Sequence, residues 1–419
     1  MIKIIEKIEG EAKLNFSFDQ DKIDFVDIEF FSTRSIENIL KNRPALDALV
    51  INPRVCGICN HAHLIATVQT LESCYENIEL SQKAQIIREL TLNFELIHSH
   101  IKWFYLTLYP LFGKKQEVLK AAYASNIASK AIATFAGQYP HNSYAIVGGV
   151  ISSPSALELI QVQNYIDILI KFVEENLVMA DSSAFLTCNS IERLLETAGE
   201  LPTLLNEIKD NGWEELAKSY DRFIVFGENS FFKRGKSLKT RLNHHISIDD
   251  VQEQSIKNSF AKNVTFKEKY YEVGPLARAM VRKKALIKDA HRRYGDSLFS
   301  RILARVCEAV QLLHHSKELL TRIQLDEPSF IEPNIPIEEL TGSGASAVEA
   351  ARGTLIHKVE LKDGMIQNYE MITPTQWNLG NGTKQNPAVA QKSMIGLNDT
   401  NIAELCFKSF DVCSVCTTH

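Results

Sequence analysis

Apolar residues recur with a period of two near the start of this 419-residue chain and with a helical period through its middle. Over residues 2–30 the pattern predicts a β-meander. Ala12, Leu14, Phe16 and Phe18 alternate with Lys13, Asn15 and Ser17, as in a half-buried strand. Asp19-Gln20-Asp21 supplies a turn, and Ile23 to Phe30 continues as another strand. From Thr33 the pattern turns helical, with Ile36, Ile39 and Leu40 on one face and Pro44 as the stop. A loop around Cys56 then opens a helix near His63 that runs towards Tyr75. Long helices follow: Ser81 to Tyr109 without an interior Gly or Pro, the Ala-rich Gln116 to Phe135, and Ser155 to about Ala180. Successive helices of this length predict a bundle at the centre of the fold.

Breakers separate the second and third of these helices, Gly137-Gln138-Tyr139-Pro140-His141 and then Gly148-Gly149. Residues 181–270 read as peripheral β structure and loops, with a strand at Phe223 to Phe226. Tyr271 to Arg278 is a turn into a helix, and another helix is expected from about Gly295 to Ile323. His357 to Leu361, the turn Lys362-Asp363-Gly364 and Ile366 to Ile372 form a hairpin signal. A last helix is expected near Asn386 to Leu397. The fold class is therefore α+β and predominantly α: a central long-helix bundle, an N-terminal antiparallel meander and small peripheral sheets. One integrated unit is expected, with a meander over 1–32, a motif loop and bundle over 33–180, a peripheral insert over 181–270, and helices, hairpin and tail over 271–419.

Composition adds little beyond exclusions. Apolar residues make up 45% and charged residues 23%, enough to bury a large core. A net charge of −5 offers no basic footprint for nucleic acid. There is no apolar run long enough to span a bilayer, and the start MIKIIEKIEG lacks a signal-peptide pattern. A cytoplasmic location is expected, although export bound to a signal-bearing partner is compatible with the same sequence.

The cysteines change the picture. Cys56/Cys59 and Cys413/Cys416 each form a Cys-x-x-Cys, and each pair is followed by histidine. Two such loops can deliver four sulfurs to one site, which requires the two ends of the chain to meet in the interior. Cys74, Cys188, Cys307 and Cys406 lie scattered in apolar or helical surroundings and read as core residues. Spacing alone leaves two readings open. One is a structural zinc with four thiolates in an interaction protein, the commonest cause of the pattern. The other is a redox centre of softer metals, in which one thiolate of each pair bridges two ions. A globule this large has little need of a zinc staple.

The motifs together resemble the large subunit of nickel–iron hydrogenases, along the whole chain. Arg54-x-Cys56-Gly57-x-Cys59-x-x-x-His63 and Asp411-x-Cys413-x-x-Cys416-x-x-His419 are similar to the family's two metal-binding motifs. Lys7-Ile8-Glu9-Gly10, Tyr139-Pro140-His141 with Gly148-Gly149, Val273 to Arg278, and Glu349-Ala350-Ala351-Arg352-Gly353 resemble four further boxes in the same order. The resemblance implies reversible heterolytic cleavage of H2. Cys56 and Cys413 would be terminal nickel ligands, while Cys59 and Cys416 would bridge nickel to an iron carrying carbon monoxide and cyanide. It implies that Cys413, or else Arg352, takes the proton and that Glu9 receives it next. His63, Asp411 and Ser99 would surround the metals and tune them. Glu37, the backbone carbonyl of Met371, and His419 would hold a magnesium ion near the C-terminus. With no cysteines left for clusters, an iron–sulfur small subunit is the implied partner.

Several positions depart from the family pattern. Val412 and Ala351 stand where proline is usual, Ser99 where many members carry aspartate, and Gln138 where lysine is common. These leave the thiolates intact and bear on rate, bias and oxygen tolerance. Hydrogen-sensing members with slow turnover share the same motifs. The quinone-site subunit of respiratory complex I shares the fold but lacks the cysteines. The length of 419 residues also suits cytoplasmic members, and a stop at His419 would suit a trimmed precursor.

Overall fold

The computed structural model describes residues 2–8, 10–31, 34–238, 241–243, 246–255, 259 and 261–413. Strands β1 (Ile2–Ile8), β2 (Gly10–Asp19) and β3 (Lys22–Phe30) form the expected antiparallel meander. Ala12, Leu14 and Phe16 point into the core, but Phe18 is 41% exposed. The pairing register slips between Ser17 and Phe18, and a one-residue slip sends the next side chain to the other face. A second departure follows at Ile36–Leu40, a helix of five residues that buries Ile36 and Leu40 while Ile39 stays exposed.

Four long helices make the bundle. With α1 spanning Asn60–Glu72, they are α2 (Gln82–Lys102), α3 (Val118–Ala136), α4 (Ala156–Phe172) and, after the insert's α5 (Glu200–Asp210) and α6 (Ala285–Tyr294), α7 (Leu298–Leu320). Helix α2 packs on α3 and α7, and α4 closes the ring by packing on both of those. The ends are set by local chemistry. Ser81 Oγ accepts from the Ala84 N–H, and Ser155 with Glu158 forms a reciprocal capping box. The single helix expected from Ser81 to Tyr109 instead passes at Trp103–Leu108 into a wider π turn before a last short segment at Tyr109–Leu111. Such turns shift the helical register, and here one places Trp103 beside the functional site.

The peripheral stretch 181–270 holds small sheets as expected, but also helices at Ser182–Thr187, Ile191–Leu195 and α5. Helix α6 precedes the expected helix, which begins at Leu298 behind the Ser297 cap. Strands β4 (Gly342–Ala350), β5 (Gly353–Lys362) and β6 (Met365–Ile372) build an antiparallel sheet on which α1 lies. The helix expected over Asn386 to Leu397 is confined to Val389–Met394, and a further helix, α8 (Thr400–Lys408), leads into the tail. One apolar cluster runs from Ala12 on the meander to Cys413, so both cysteine segments sit in the same core.

Candidate metal centre

The first cysteine loop is shaped by its backbone. Cys56 lies extended after a turn at Asn52–Val55, and Cys59 occupies the N-cap position of α1. The Ile58 and Cys59 N–H groups donate to Cys56 Sγ at 3.3 and 3.4 Å. The positive end of α1 faces the same sulfurs, which favours thiolates there. A second segment clamps the loop from outside. Tyr139 donates its hydroxyl to the Ile58 carbonyl at 2.9 Å, and the His141 N–H donates to Asn60 Oδ1 at 3.0 Å.

The C-terminal cysteine arrives after α8 through Asp411, whose φ of 62° turns the chain back. The result is convergence. Sγ of Cys56, Cys59 and Cys413 all lie within 4.8 Å of one another, and Cys56 and Cys413 are 3.9 Å apart. Cys416, His419 and Glu9 lie outside the described residues.

Arg352 sits over this cluster at the turn between β4 and β5. Its Nε donates to the Asp411 carbonyl at 2.9 Å and its Nη2 to Asp411 Oδ1 at 3.2 Å, leaving Nη1 buried with no partner among the described residues. Burial opposes its charge, but Asp411 and then the sulfurs of Cys413, Cys59 and Cys56 outweigh that and hold it firmly protonated. Ser99 is buried nearby, its hydroxyl without a partner among the described residues. A cavity of about 290 Å3 lined by Ser99, Trp103, Arg352, Asp411 and Val412 reaches this face of the site. His63 points its Nδ1 at His357 Nε2, 3.2 Å away, and burial pulls its pKa down to about 4. Glu37 lies beside the backbone of Met371, whose N–H donates to its Oε1 at 2.8 Å, while Lys262 approaches its other oxygen at 3.7 Å.

Several groups escaped sequence reasoning. Glu95 on α2 is fully buried and accepts the His61 and Ala62 N–H groups at 2.8 and 2.9 Å, tying α2 to the first turn of α1. Desolvation is the main cause that raises its pKa to about 8. His357 backs His63, and Arg305, Glu308 and Arg278 form buried ion pairs behind Asp411. The signal for the last group is a set of charges on α7, Arg301, Arg305 and Glu308, spaced four and three apart on a single helical face.

These residues fit a soft or borderline metal. Three free cysteine sulfurs converge in the interior beside a buried arginine, and sulfur donors of this kind select such ions over hard ones. A helical bundle with terminal cysteine segments meeting in its core defines the class, a protein that builds a thiolate-held metal centre. The nickel-dependent hydrogenase family model matches residues 34–109 and 221–419, and the chain belongs to that family as a large subunit. It is 24% identical to the hydrogenase-2 large chain of Escherichia coli K12, over 99% of this chain and 96% of that one. It is also similar to the periplasmic [NiFeSe] hydrogenase large subunit of Desulfomicrobium baculatum, 24% identical over 99% and 93%. The Ni-Fe-Se hydrogenase of D. vulgaris Hildenborough in its reduced state shares the fold over 100% of both chains, with a TM-score of 0.84 and 22% identity. Among the described residues, no helix is long and apolar enough to cross a membrane.

Proposed function

We propose that this chain is the catalytic subunit of a nickel–iron hydrogenase that cleaves H2 reversibly and heterolytically. The observation that carries the reading is the convergence of Cys56, Cys59 and Cys413 sulfurs from opposite ends of the chain. Cys56, Cys59, Cys413 and Cys416 would together hold the nickel–iron pair. Bound there, a nickel–iron pair with carbon monoxide and cyanide on the iron supplies the Lewis acid and the redox capacity that splitting H2 demands.

The protein's own part is proton handling and exclusion of water. Arg352 is held as a guanidinium by Asp411, so it is a poor acceptor and an effective orienting donor. The acceptor is then the Cys413 thiolate beside it, and Glu9 is the next carrier. Near-complete burial of the three sulfurs keeps bulk water from competing for the proton. Glu37, the Met371 carbonyl and His419 would hold a hard cation. Glu37 lies against the Met371 backbone, which supports that placement, and Lys262 beside its other oxygen would have to give way to the cation.

An iron–sulfur small subunit would receive the electrons. Gly57 in the cysteine loop is exposed, and Leu46 and Val50 present apolar side chains at the start and within the short helix Asp47–Ile51 that leads to it. A partner docked there would come within a short distance of the sulfurs. Cytoplasmic action goes with this reading. Metal analysis of the purified protein tests it: nickel and iron in equal amounts with H2-dependent dye reduction are expected, whereas a single zinc and no reduction would overturn it.

A further inference from the structure

A line of buried charges runs from the guanidinium over the cysteines to the far side of the bundle. Arg352 Nη2 meets Asp411 Oδ1 at 3.2 Å, and Asp411 Oδ2 meets Arg305 Nη1 at 3.0 Å. Arg305 Nη1 lies 3.1 Å from His100 Nδ1, and His100 Nε2 lies 2.9 Å from Glu308 Oε1. Glu308 takes Arg278 through Nε at 2.7 Å and Nη2 at 2.5 Å, and Arg278 Nη1 reaches Glu349 at 3.0 Å. None of the seven is more than 8% exposed.

The chemistry of the partners fixes every proton in the middle of this line. A guanidinium only donates and a carboxylate only accepts. His100 therefore turns a lone pair on Nδ1 towards Arg305 and an N–H on Nε2 towards Glu308, in one neutral tautomer. Three arginines then balance three carboxylates, with a neutral ring as the joint between them. The line is unsuited to carrying protons, because any proton moving along it would have to cross Arg305 and Arg278. Its fitness is for holding. Asp411 fixes Arg352 by two bonds, Arg305 fixes Asp411, and Arg305 is itself pinned between the Trp103 ring at 4.7 Å and His100.

We propose that His100 is a positioning residue for Arg352, acting as the neutral joint that keeps Arg305 and Asp411 aligned so that the guanidinium faces the cysteine sulfurs. This rests on the reading of Arg352 as a working group of the hydrogenase site, and it adds a residue three links removed from that guanidinium. Gln can mimic the joint, since its oxygen accepts and its amide donates at similar spacing. Phe cannot, and it removes one buried contact from Arg305 Nη1 and one from Glu308 Oε1.

The test compares wild-type holoenzyme with His100→Gln and His100→Phe. In nickel-loaded H100F, kcat for H2 oxidation should fall about 10–100-fold, as when an outer partner of a metal site is lost, with KM for H2 unchanged. H100Q should stay close to wild type. Amide hydrogen exchange at 409–413, read by mass spectrometry, should quicken in H100F and not in H100Q. In an Arg352→Lys background, H100F should cost nothing more, because its effect travels through Arg352. Should H100F not fold, His100→Leu serves instead: its apolar side chain neither accepts nor donates, breaks the same joint and should give the same pattern. Wild-type kcat in nickel-loaded H100F, equal damage in H100Q and H100F, or an undiminished loss in the Arg352→Lys background would each overturn the proposal. A wild-type protein without nickel or H2-dependent reduction would sink the underlying reading instead, and the exchange data would still report on the joint.

Discussion

Cys56 Sγ and Cys413 Sγ stand 3.9 Å apart although 357 positions separate the two residues. Each is delivered by its own clamp. Tyr139 and His141 hold the first loop, and Arg352 with Arg305 holds the segment before the second. Neither end can shift without opening the cluster, which makes the site report on the integrity of the whole fold.

The cysteines should separate cleanly by role. Cys59→Ala or Cys413→Ala should abolish nickel retention and H2-dependent activity together, since a thiolate is lost from a set that has no spare donor. Cys188→Ser should change neither, because that thiol donates to the Ser190 carbonyl and is not part of the cysteine cluster. Normal nickel content in a purified Cys59→Ala protein would contradict the assignment.

The buried pair Arg301–Glu272 should dominate stability on the insert side of the bundle. Two parallel bonds of 2.8 Å join them, and Arg301 also reaches the Ala217 carbonyl. Arg301→Met leaves a buried carboxylate uncompensated, which costs about 3–5 kcal/mol. The urea midpoint should drop accordingly, and pairing the change with Glu272→Met should restore most of it. A midpoint within error of wild type for the single variant would show that water reaches the site.

The sequence was most legible where local chemistry and tertiary role agree. The apolar period over Gln82–Lys102, unbroken by Gly or Pro, is a helix because nothing in it resists one. The Cys-x-x-Cys spacing likewise states its own chemistry. Legibility failed where the tertiary setting reverses the usual reading of a side chain. Lys288, Arg292 and Arg293 make α6 look like a solvated linker, yet Leu286, Ile287 and Ala290 bury a narrow stripe. Arg301, Arg305 and Glu308 look like an exposed face of α7, yet they are core residues because Glu272, Asp411 and Arg278 wait opposite them. No pattern within one helix reveals partners supplied by another. The same holds for Glu95, whose meaning comes from the end of α1 and not from α2.

Acid should weaken the fold through the α2 histidines. Burial, with help from Lys102, lowers the His98 pKa to about 3, and burial lowers that of His100 to about 4 against the pull of Glu308. Both are neutral in the native state, while in the unfolded chain they take up protons near 6.5. Stability is therefore lost as pH falls from 6.5 towards 4, and these groups contribute no slope above 7. Each pKa unit is worth about 1.4 kcal/mol, so the two groups act on the order of 3–5 kcal/mol apiece. Glu95, raised to about 8, works the other way between 4.5 and 8 but is a single group. The thermal midpoint should fall between pH 6.5 and 5, and His98→Phe should flatten that fall. A midpoint constant over this range would refute the reading.

Glu9→Gln should keep the metals and the fold but remove the proposed carrier. Nickel content should match wild type, while H/D exchange with solvent during H2 turnover slows by orders of magnitude, since an amide cannot cycle a proton. Full exchange in this variant would move the exit path elsewhere.

Gly353 should prove as sensitive as a catalytic group without touching any reactant. Its φ is 134°, a conformation that side chains rarely adopt, and an added Cβ would come 2.5 Å from Val273 Cγ2 and 2.7 Å from the Gly274 nitrogen. Neither neighbour can yield, because Val273 is held through its own N–H and carbonyl by Asn378. Gly353→Ala must therefore push the β4–β5 turn away, and Arg352 moves with it. Backbone strain alone costs about 1–3 kcal/mol, and displacement of the guanidinium should lower kcat about 10–100-fold in whatever nickel-loaded protein survives. Gly113→Ala is the control for glycine loss in itself, with a φ of 69° but nothing within 4 Å of the new Cβ. It should lose a little stability and no activity. If both variants lost kcat equally, the turn at Gly353 would not be what aims Arg352.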